Sequence, residues 1–208
     1  MLLGVTGCPG SGKSMLSSVI AEYGWELVNA DAIGKEVVDH DTGVCEKLAE
    51  SFGKDIIRTD RSLDRRLLAK RAFASAKATR MLNGIVHPPL IARLRDIVRG
   101  RNGSGSDAVV DCALIFEWAI ESLFDVVVCV HADRDIRIRR IMERDGRSGQ
   151  EVVGMFDAQL PEDEKIRKSH IAVANNDDAV KMRLFGTMLA GLSRHYRETR
   201  LSDSESPL

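Results

Sequence analysis

Residues 7–14 read Gly7-Cys8-Pro9-Gly10-Ser11-Gly12-Lys13-Ser14 and fit the spacing G-x-x-x-x-G-K-[ST]. No other stretch limits the fold as much, because such a loop works only between a buried strand and a helix. Its glycines let the backbone enter conformations closed to other residues. The amides then turn inward and form a concave anion site. Lys13 brings a mobile positive charge to the outer phosphates, and Ser14 offers a hydroxyl to Mg2+. The following helix adds the positive end of its dipole. Both neighbours are present. Leu2-Leu3-Gly4-Val5-Thr6 is an apolar run suited to a buried strand. Met15 to Tyr23 reads as a helix, with Gly24 just beyond it as a stop. The four fixed positions would arise by chance in about one chain in a hundred of this length, and the strand–helix context lowers that further. Nucleotide phosphate binding by residues 7–14, with the first-turn residue Met15, is therefore the starting point. An ordinary glycine-rich turn is the competing reading.

The chain has 208 residues, which suits one core with small subdomains. A net charge of −1 calls for neither a nucleic-acid partner nor a membrane surface. The cysteines Cys8, Cys45, Cys112 and Cys129 show no C-x-x-C spacing, which argues against a zinc site or a disulfide framework and fits a reducing cytoplasm. No leader segment is expected, and no apolar run approaches the roughly 20 residues needed to span a bilayer. A cytoplasmic monomer is the expectation.

Downstream, Trp25 to Asn29 reads as a second strand and Asp31 follows at its carboxyl end, where ligands bind in open α/β sheets. Asp31 is a candidate base for an attacking hydroxyl or a helix N-cap for residues 32–39; the two roles are compatible. Residues 42–99 read as interrupted helices without a strand. Val44 to Phe52 is one, Asp64 to Phe73 a strongly basic second, and a third runs from Ser75 to about Val86. His87-Pro88-Pro89 is expected to break the pattern, because proline disfavours a helical residue before it. Such an insertion suits a second substrate, although basic helix faces are usually just solvated. Residues 99–107 read as a flexible loop.

Ala108-Val109-Val110-Asp111 is an apolar strand ending in an acid, a Walker-B position that would hold Mg2+ directly or through water; a turn-capping Asp is the alternative. Glu117 is a weaker second acid. Val126 to His131 reads as a fourth strand. In the helix after it, Arg137, Arg140 and Arg144 share one face, with Ile138, Ile141 and Met142 on another as anchors. Arginines so clustered can neutralise triphosphate charge. Ser148-x-x-Glu151 is a capping box and Pro161 suits the first turn of another helix. This pair of short charged helices reads as a lid or as a solvated hairpin. Ile171 to Ala174 is a fifth strand, followed by Asn175 and Asn176. Asp178 to Tyr196 is a closing helix and residues 201–208 a disordered tail. Five strands separated by helices imply an α/β fold of the P-loop NTPase type: three layers, a five-stranded parallel sheet, a helical acceptor-binding insertion and a helical lid. The core is assigned to 1–32, 107–136 and 167–200, the insertion to 33–106 and the lid to 137–166.

The order of these marks resembles the dephospho-CoA kinase family over residues 2 to 195. Gly4 through Ser14 is similar to that family's L-T-G-x-x-G-S-G-K-S opening, and Ala30-Asp31-Ala32 to the end of its D-A-D segment. Ser62-Leu63-Asp64-Arg65 and His87-Pro88 resemble its L-D-R and H-P marks. Asp111-x-x-Leu114-Ile115-Phe116-Glu117 resembles D-x-P-L-L-F-E. Arg140 to Asp145 resembles R-x-x-x-R-D, and Gln159 and Asn175 fit later positions. The resemblance implies transfer of the γ-phosphoryl group of ATP, with Mg2+, to the ribose 3′-hydroxyl of dephospho-CoA. It implies Asp31 as base and Lys13 and Arg140 at the transferring group. Arg65, His87, Leu114 and Phe116 become acceptor contacts, Arg144 a lid residue, and Asn175 a neighbour of adenine. Ser14 and Asp111 hold the metal.

Three positions depart from the pattern. Asn29 stands where the family has Asp, Ala113 replaces a proline, and Pro9 removes one loop N–H. Two other readings share the motif. One is a P-loop kinase acting on another small-molecule hydroxyl. The other is a nucleotide-sensing or RNA-binding module without catalysis.

Overall fold

In the computed structural model the described residues are 1–101, 106–156, 159–176 and 178–204. In chain order the elements are β1 (Leu2–Thr6), α1 (Lys13–Ala21), β2 (Glu26–Asn29), α2 (Ala30–His40), α3 (Thr42–Phe52), α4 (Arg65–Ala72), α5 (Ala76–Arg101), β3 (Ala108–Asp111), β4 (Val126–His131), α6 (Arg134–Asp145), α7 (Gly149–Phe156), α8 (Glu162–Lys168), β5 (Ile171–Ala174) and α9 (Ala179–Ser204). They fall into two units, Met1–Asn29 with Arg101–Leu208, and Ala30–Gly100.

The first unit holds the sheet, in the order β2-β3-β1-β4-β5. Every pairing is parallel. Burial explains the strand composition. All of β1 and β3 and the inner residues of β4 are buried, and these strands are near-continuously apolar. The edge strands β2 and β5 bury only Val28 and Val173. Parallel strands bring every carboxyl end to one edge of the sheet. β1 lies between β3 and β4, so chain connections leave it in both directions and its carboxyl end is a topological switch point. The glycine-rich loop begins there.

One face of the sheet is covered by α1 and α9. Leu16 and Ile20 from the first, and Met182, Leu189 and Ala190 from the second, pack with Leu3, Val5, Val109, Val128, Val130 and Val173. The two helices approach closely at Gly186, where a Cβ would stand 2.6 Å from Val19 Cγ1. Farther along, α7 opens with the expected capping box. Ser148 N donates to Glu151 Oε2 at 2.9 Å and Glu151 N to Ser148 Oγ at 3.4 Å. Asp178 caps α9 through Lys181 N at 2.8 Å.

The second unit is helical. Val44, Leu48, Phe52, Ile56, Leu68 and Ala72 form its core, with Leu82, Ile85 and Val86 packed on it. Asp41 caps α3 and Asp64 caps α4. An isolated antiparallel bridge, Ile57 to Leu63, lies in the block expected to be helical throughout.

Three expectations change. The break at His87-Pro88-Pro89 is absent, and α5 continues through both prolines. Apolar residues on both sides hold it: Leu82, Ile85 and Val86 before, and buried Leu90, Leu94 and Val98 after. The cost of the lost amide donors is offset by that burial. Asp31 falls inside the first turn of α2 and is not its cap; a carboxylate there still suits the dipole. Helix α9 reaches Ser204, into the stretch expected to be disordered; residues 205–208, and 102–105 of the expected flexible loop, lie outside the described residues.

The contact at Gly186 yields a stability contrast. Gly186→Ala should lower stability by about 1–3 kcal/mol through overpacking. Gly191→Ala on the same helix, where nothing lies within 4 Å of the added Cβ, should raise it by up to about 1 kcal/mol through helix propensity. Urea midpoints of the two variants check both signs.

Candidate active site

Helix α1 starts from Gly12, which has φ 96° and ψ 17° in the left-handed region. A side chain at that position would strike Asn175 Nδ2, so both conformation and space require glycine. No side chain caps α1. Met15 N donates to Gly12 O at 3.1 Å; the amides ahead of it, at the very start of the helix, precede any i−4 carbonyl and suit an anion. Ser14 and Met15 are exposed there. Ser11 Oγ is buried and takes no hydrogen bond among the described residues.

The loop is braced from the β5 side. Asn175 is buried, and its Nδ2 donates to the Ser11 carbonyl at 2.8 Å. Its backbone N–H donates to His131 O at 2.8 Å. The Arg140 guanidinium donates to Gly10 O at 3.2 Å and to Asn175 O at 2.9 Å. From the strands, Lys13 Nζ lies 3.9 Å from Asp111 Oδ1. Asp111 closes β3 in register with Val5 on one side and Asn29 on the other. An acid at position 29 would set two carboxylates on adjacent strand ends; the neutral Asn29 removes that repulsion.

A serine hydroxyl and one carboxylate are hard oxygen donors of the type Mg2+ takes, and such a site is completed by phosphate oxygens and water. The described residues hold no cluster of three or more His, Cys, Asp or Glu that would cage a metal. Glu117 is committed elsewhere. Its Oε1 lies 2.8 Å from Lys165 Nζ and accepts from Leu160 N at 3.0 Å.

The three arginines expected on one face have three fates. Arg140 braces the loop. Arg137 is buried; its Nε donates to Ala132 O at 2.9 Å, and its guanidinium lies 4.6 Å from the Phe156 ring and 3.4 Å from Glu162. Arg137 therefore ties α7 and α8 to α6. Arg144 donates twice to Asp145, at 2.7 and 2.8 Å, near the exposed end of α6. Met142, expected to anchor the helix, is 41% exposed, while Ile141 is buried.

Leu114 is half-buried and Phe116 is buried. In the second unit, Arg65 pairs with Asp39 and donates to Lys35 O at 3.3 Å. That pair is partly exposed, and exposed pairs exchange partners cheaply. His87 is half-buried, and burial pulls its pKa below the usual 6.5, so the imidazole is neutral at pH 7. Cys8, inside the loop, is also buried, and burial raises its thiol pKa. At Cys129 the same cause pushes the pKa to about 12.

The sequence pattern of the dephospho-CoA kinase family matches residues 1–181. The chain belongs to that family. It is 35% identical over 175 residues to a dephospho-CoA kinase of Anaeromyxobacter dehalogenans, covering 84% of this chain and 83% of that protein. It is 34% identical over 175 residues to one of Corynebacterium glutamicum, covering 84% and 88%. A crystal structure from Thermus thermophilus superposes with a TM-score of 0.73 at 27% identity, covering 93% of this chain and 97% of that one. Membership of a kinase family implies ATP as co-substrate. The five-stranded parallel α/β sheet and the P-loop agree with it.

The residue that sequence reading missed is Lys165. It sits in the charged run Glu162-Asp163-Glu164-Lys165, which reads as a solvated helix face, yet it is fully buried. Thr6, the end of an apolar strand in the sequence, donates its hydroxyl to Ala113 O at 3.1 Å.

Two solution properties follow from the perturbed groups. The folded pKa of His87 lies below its unfolded value, so the unfolded chain binds more protons just below pH 6.5. Stability from this group is full above that pH and declines as pH falls through it. His87→Gln should flatten this slope in pH-dependent urea unfolding. Cys8 and Cys129 should also react slowly with a thiol reagent at neutral pH and fully after denaturation, because each remains a buried thiol.

Proposed function

We propose that this chain transfers the γ-phosphoryl group of ATP to the ribose 3′-hydroxyl of dephospho-CoA, giving CoA and ADP. The observation that carries the reading is the braced P-loop at the sheet's switch point, with Lys13 held 3.9 Å from Asp111. Family membership supplies the acceptor.

Lys13 and the loop residues Gly7, Cys8, Gly10, Ser11, Gly12, Ser14 and Met15 bind the β- and γ-phosphates; Pro9 contributes shape only. Ser14 and Asp111 would hold Mg2+, which when bound supplies charge neutralisation between the phosphates. Asp31, in the first turn of α2, orients the acceptor hydroxyl and takes its proton. Arg140 adds positive charge beside the loop, Arg144 adds more from the end of α6, and Asn175 holds the loop near the adenine end. Arg65 and the neutral His87 bind the acceptor's phosphates and polar groups, with Leu114 and Phe116 as its apolar contacts. Residues 137–166 act as the lid and 33–106 as the acceptor domain. Positioning and charge stabilisation supply most of the rate. We assign the protein to the cytoplasm as a monomer without nucleic-acid or membrane partners; no helix of the described residues is long and apolar enough to cross a membrane.

The direct test is ADP release from ATP and Mg2+ with and without dephospho-CoA. ADP formation is expected only with the acceptor. Asp31→Asn should lower kcat by about 10²–10⁴ while ATP still binds by calorimetry. ATP binding without turnover on dephospho-CoA would move the assignment to another acceptor. Lys13→Ala should abolish turnover, and near-normal activity in that variant would overturn the scheme.

A further inference from the structure

Lys165 lies within α8 and has no exposed surface. An ammonium so buried is stable only among acceptors. Three converge on it: Ala113 O at 2.6 Å, Glu117 Oε1 at 2.8 Å and Gln159 Oε1 at 3.1 Å. Glu117 Oε1 also accepts from Leu160 N at 3.0 Å. The Ala113 carbonyl receives a second donor, Thr6 Oγ1, at 3.1 Å. Thr6 is the last residue of β1 before the loop. Just upstream, Cys112 N donates to Val5 O at 3.0 Å. The turn that leaves Asp111 is thus clamped between the root of the P-loop and α8. A purely apolar residue at 165 would fill the space but leave the Ala113 carbonyl with one donor fewer and the half-buried Glu117 without its counter-charge.

We infer that Lys165 is a positioning residue for phosphoryl transfer: its ammonium locks the turn after Asp111 and thereby sets that carboxylate at the height of the P-loop where a nucleotide-bound divalent cation sits. The inference rests on the reading of Asp111 as the metal acid. Lys165 acts through the Ala113 carbonyl and Glu117 and touches no reactant.

Removing Lys165 alone would leave a half-buried carboxylate without its counter-charge and lower stability. The test therefore uses Lys165→Met/Glu117→Met, which removes both charges together and should keep the thermal midpoint near that of the unaltered protein. Its affinity for Mn2+·ADP, measured by the paramagnetic signal of bound Mn2+, should fall about tenfold, and kcat about 10- to 100-fold. Metal-free ADP should bind as before. Thr6→Val removes the other donor to Ala113 O with little change of shape, and should shift Mn2+·ADP affinity the same way by a few-fold. Asp111→Asn separates the two levels of the argument. If it leaves Mn2+·ADP affinity intact, the metal-acid reading fails and this inference fails with it. If Asp111→Asn weakens the complex while both Thr6→Val and the paired variant bind Mn2+·ADP as the unaltered protein does, Lys165 is structural only. Equal losses for ADP with and without metal would also overturn the proposal. If the paired variant does not fold, Thr6→Val decides alone.

Discussion

An anion site made of backbone amides has no side chain to shape it, so the backbone itself must be held before phosphate arrives. Here the holding falls to groups outside the loop. Asn175 takes hold of Ser11 and Arg140 of Gly10, while Asn175 is itself anchored to His131 at the end of β4. The left-handed Gly12 then opens α1 with no side chain capping it, and its own carbonyl takes the amides of Met15 and Leu16. If this bracing were lost, the glycines would regain the freedom that makes them suitable for the turn, and the entropy of ordering the loop would be charged against nucleotide binding.

The sheet makes the bracing possible. β1 and β3 are buried along their whole length, which leaves little room for their ends to move. Asp111 and the start of the P-loop inherit that rigidity, since each lies at the carboxyl end of a buried strand. Arg137 extends the same order to the following helices by holding α6, α7 and α8 through one guanidinium and one aromatic ring. In the other unit, rigidity comes from an apolar cluster sufficient to carry α5 through two prolines. Catalysis by positioning needs this kind of scaffold, because misplacement of about 1 Å costs a large part of the rate.

Two buried cations among the described residues are each surrounded by partners. Lys165 meets three oxygen acceptors, and Arg137 meets a carbonyl, a carboxylate and a ring. Pairs of this kind add little net stability over an apolar replacement. What they provide is direction: an ammonium or guanidinium fixes particular oxygens at particular places, which a methyl group cannot do. At the half-buried His87, burial favours the neutral imidazole.

Much of the fold was legible in the chain because its signals are local. Continuous apolar runs marked the buried strands, Gly7 to Ser14 marked the turn into α1, and Ser148 with Glu151 marked the start of α7. Asp111 was legible as an acid ending an apolar strand, and the order of motifs was enough to point to the family. Tertiary structure alone decided which of Arg137, Arg140 and Arg144 would be buried, because helical spacing gives a face but does not say what faces it. It also decided that α5 runs through His87-Pro88-Pro89, because packing on both flanks outweighs a local preference. And it decided that Lys165, one charge in an acidic run, is interior: three acceptor oxygens brought together from residues 113, 117 and 159 make burial of an ammonium tolerable, and that convergence exists only once the chain is folded.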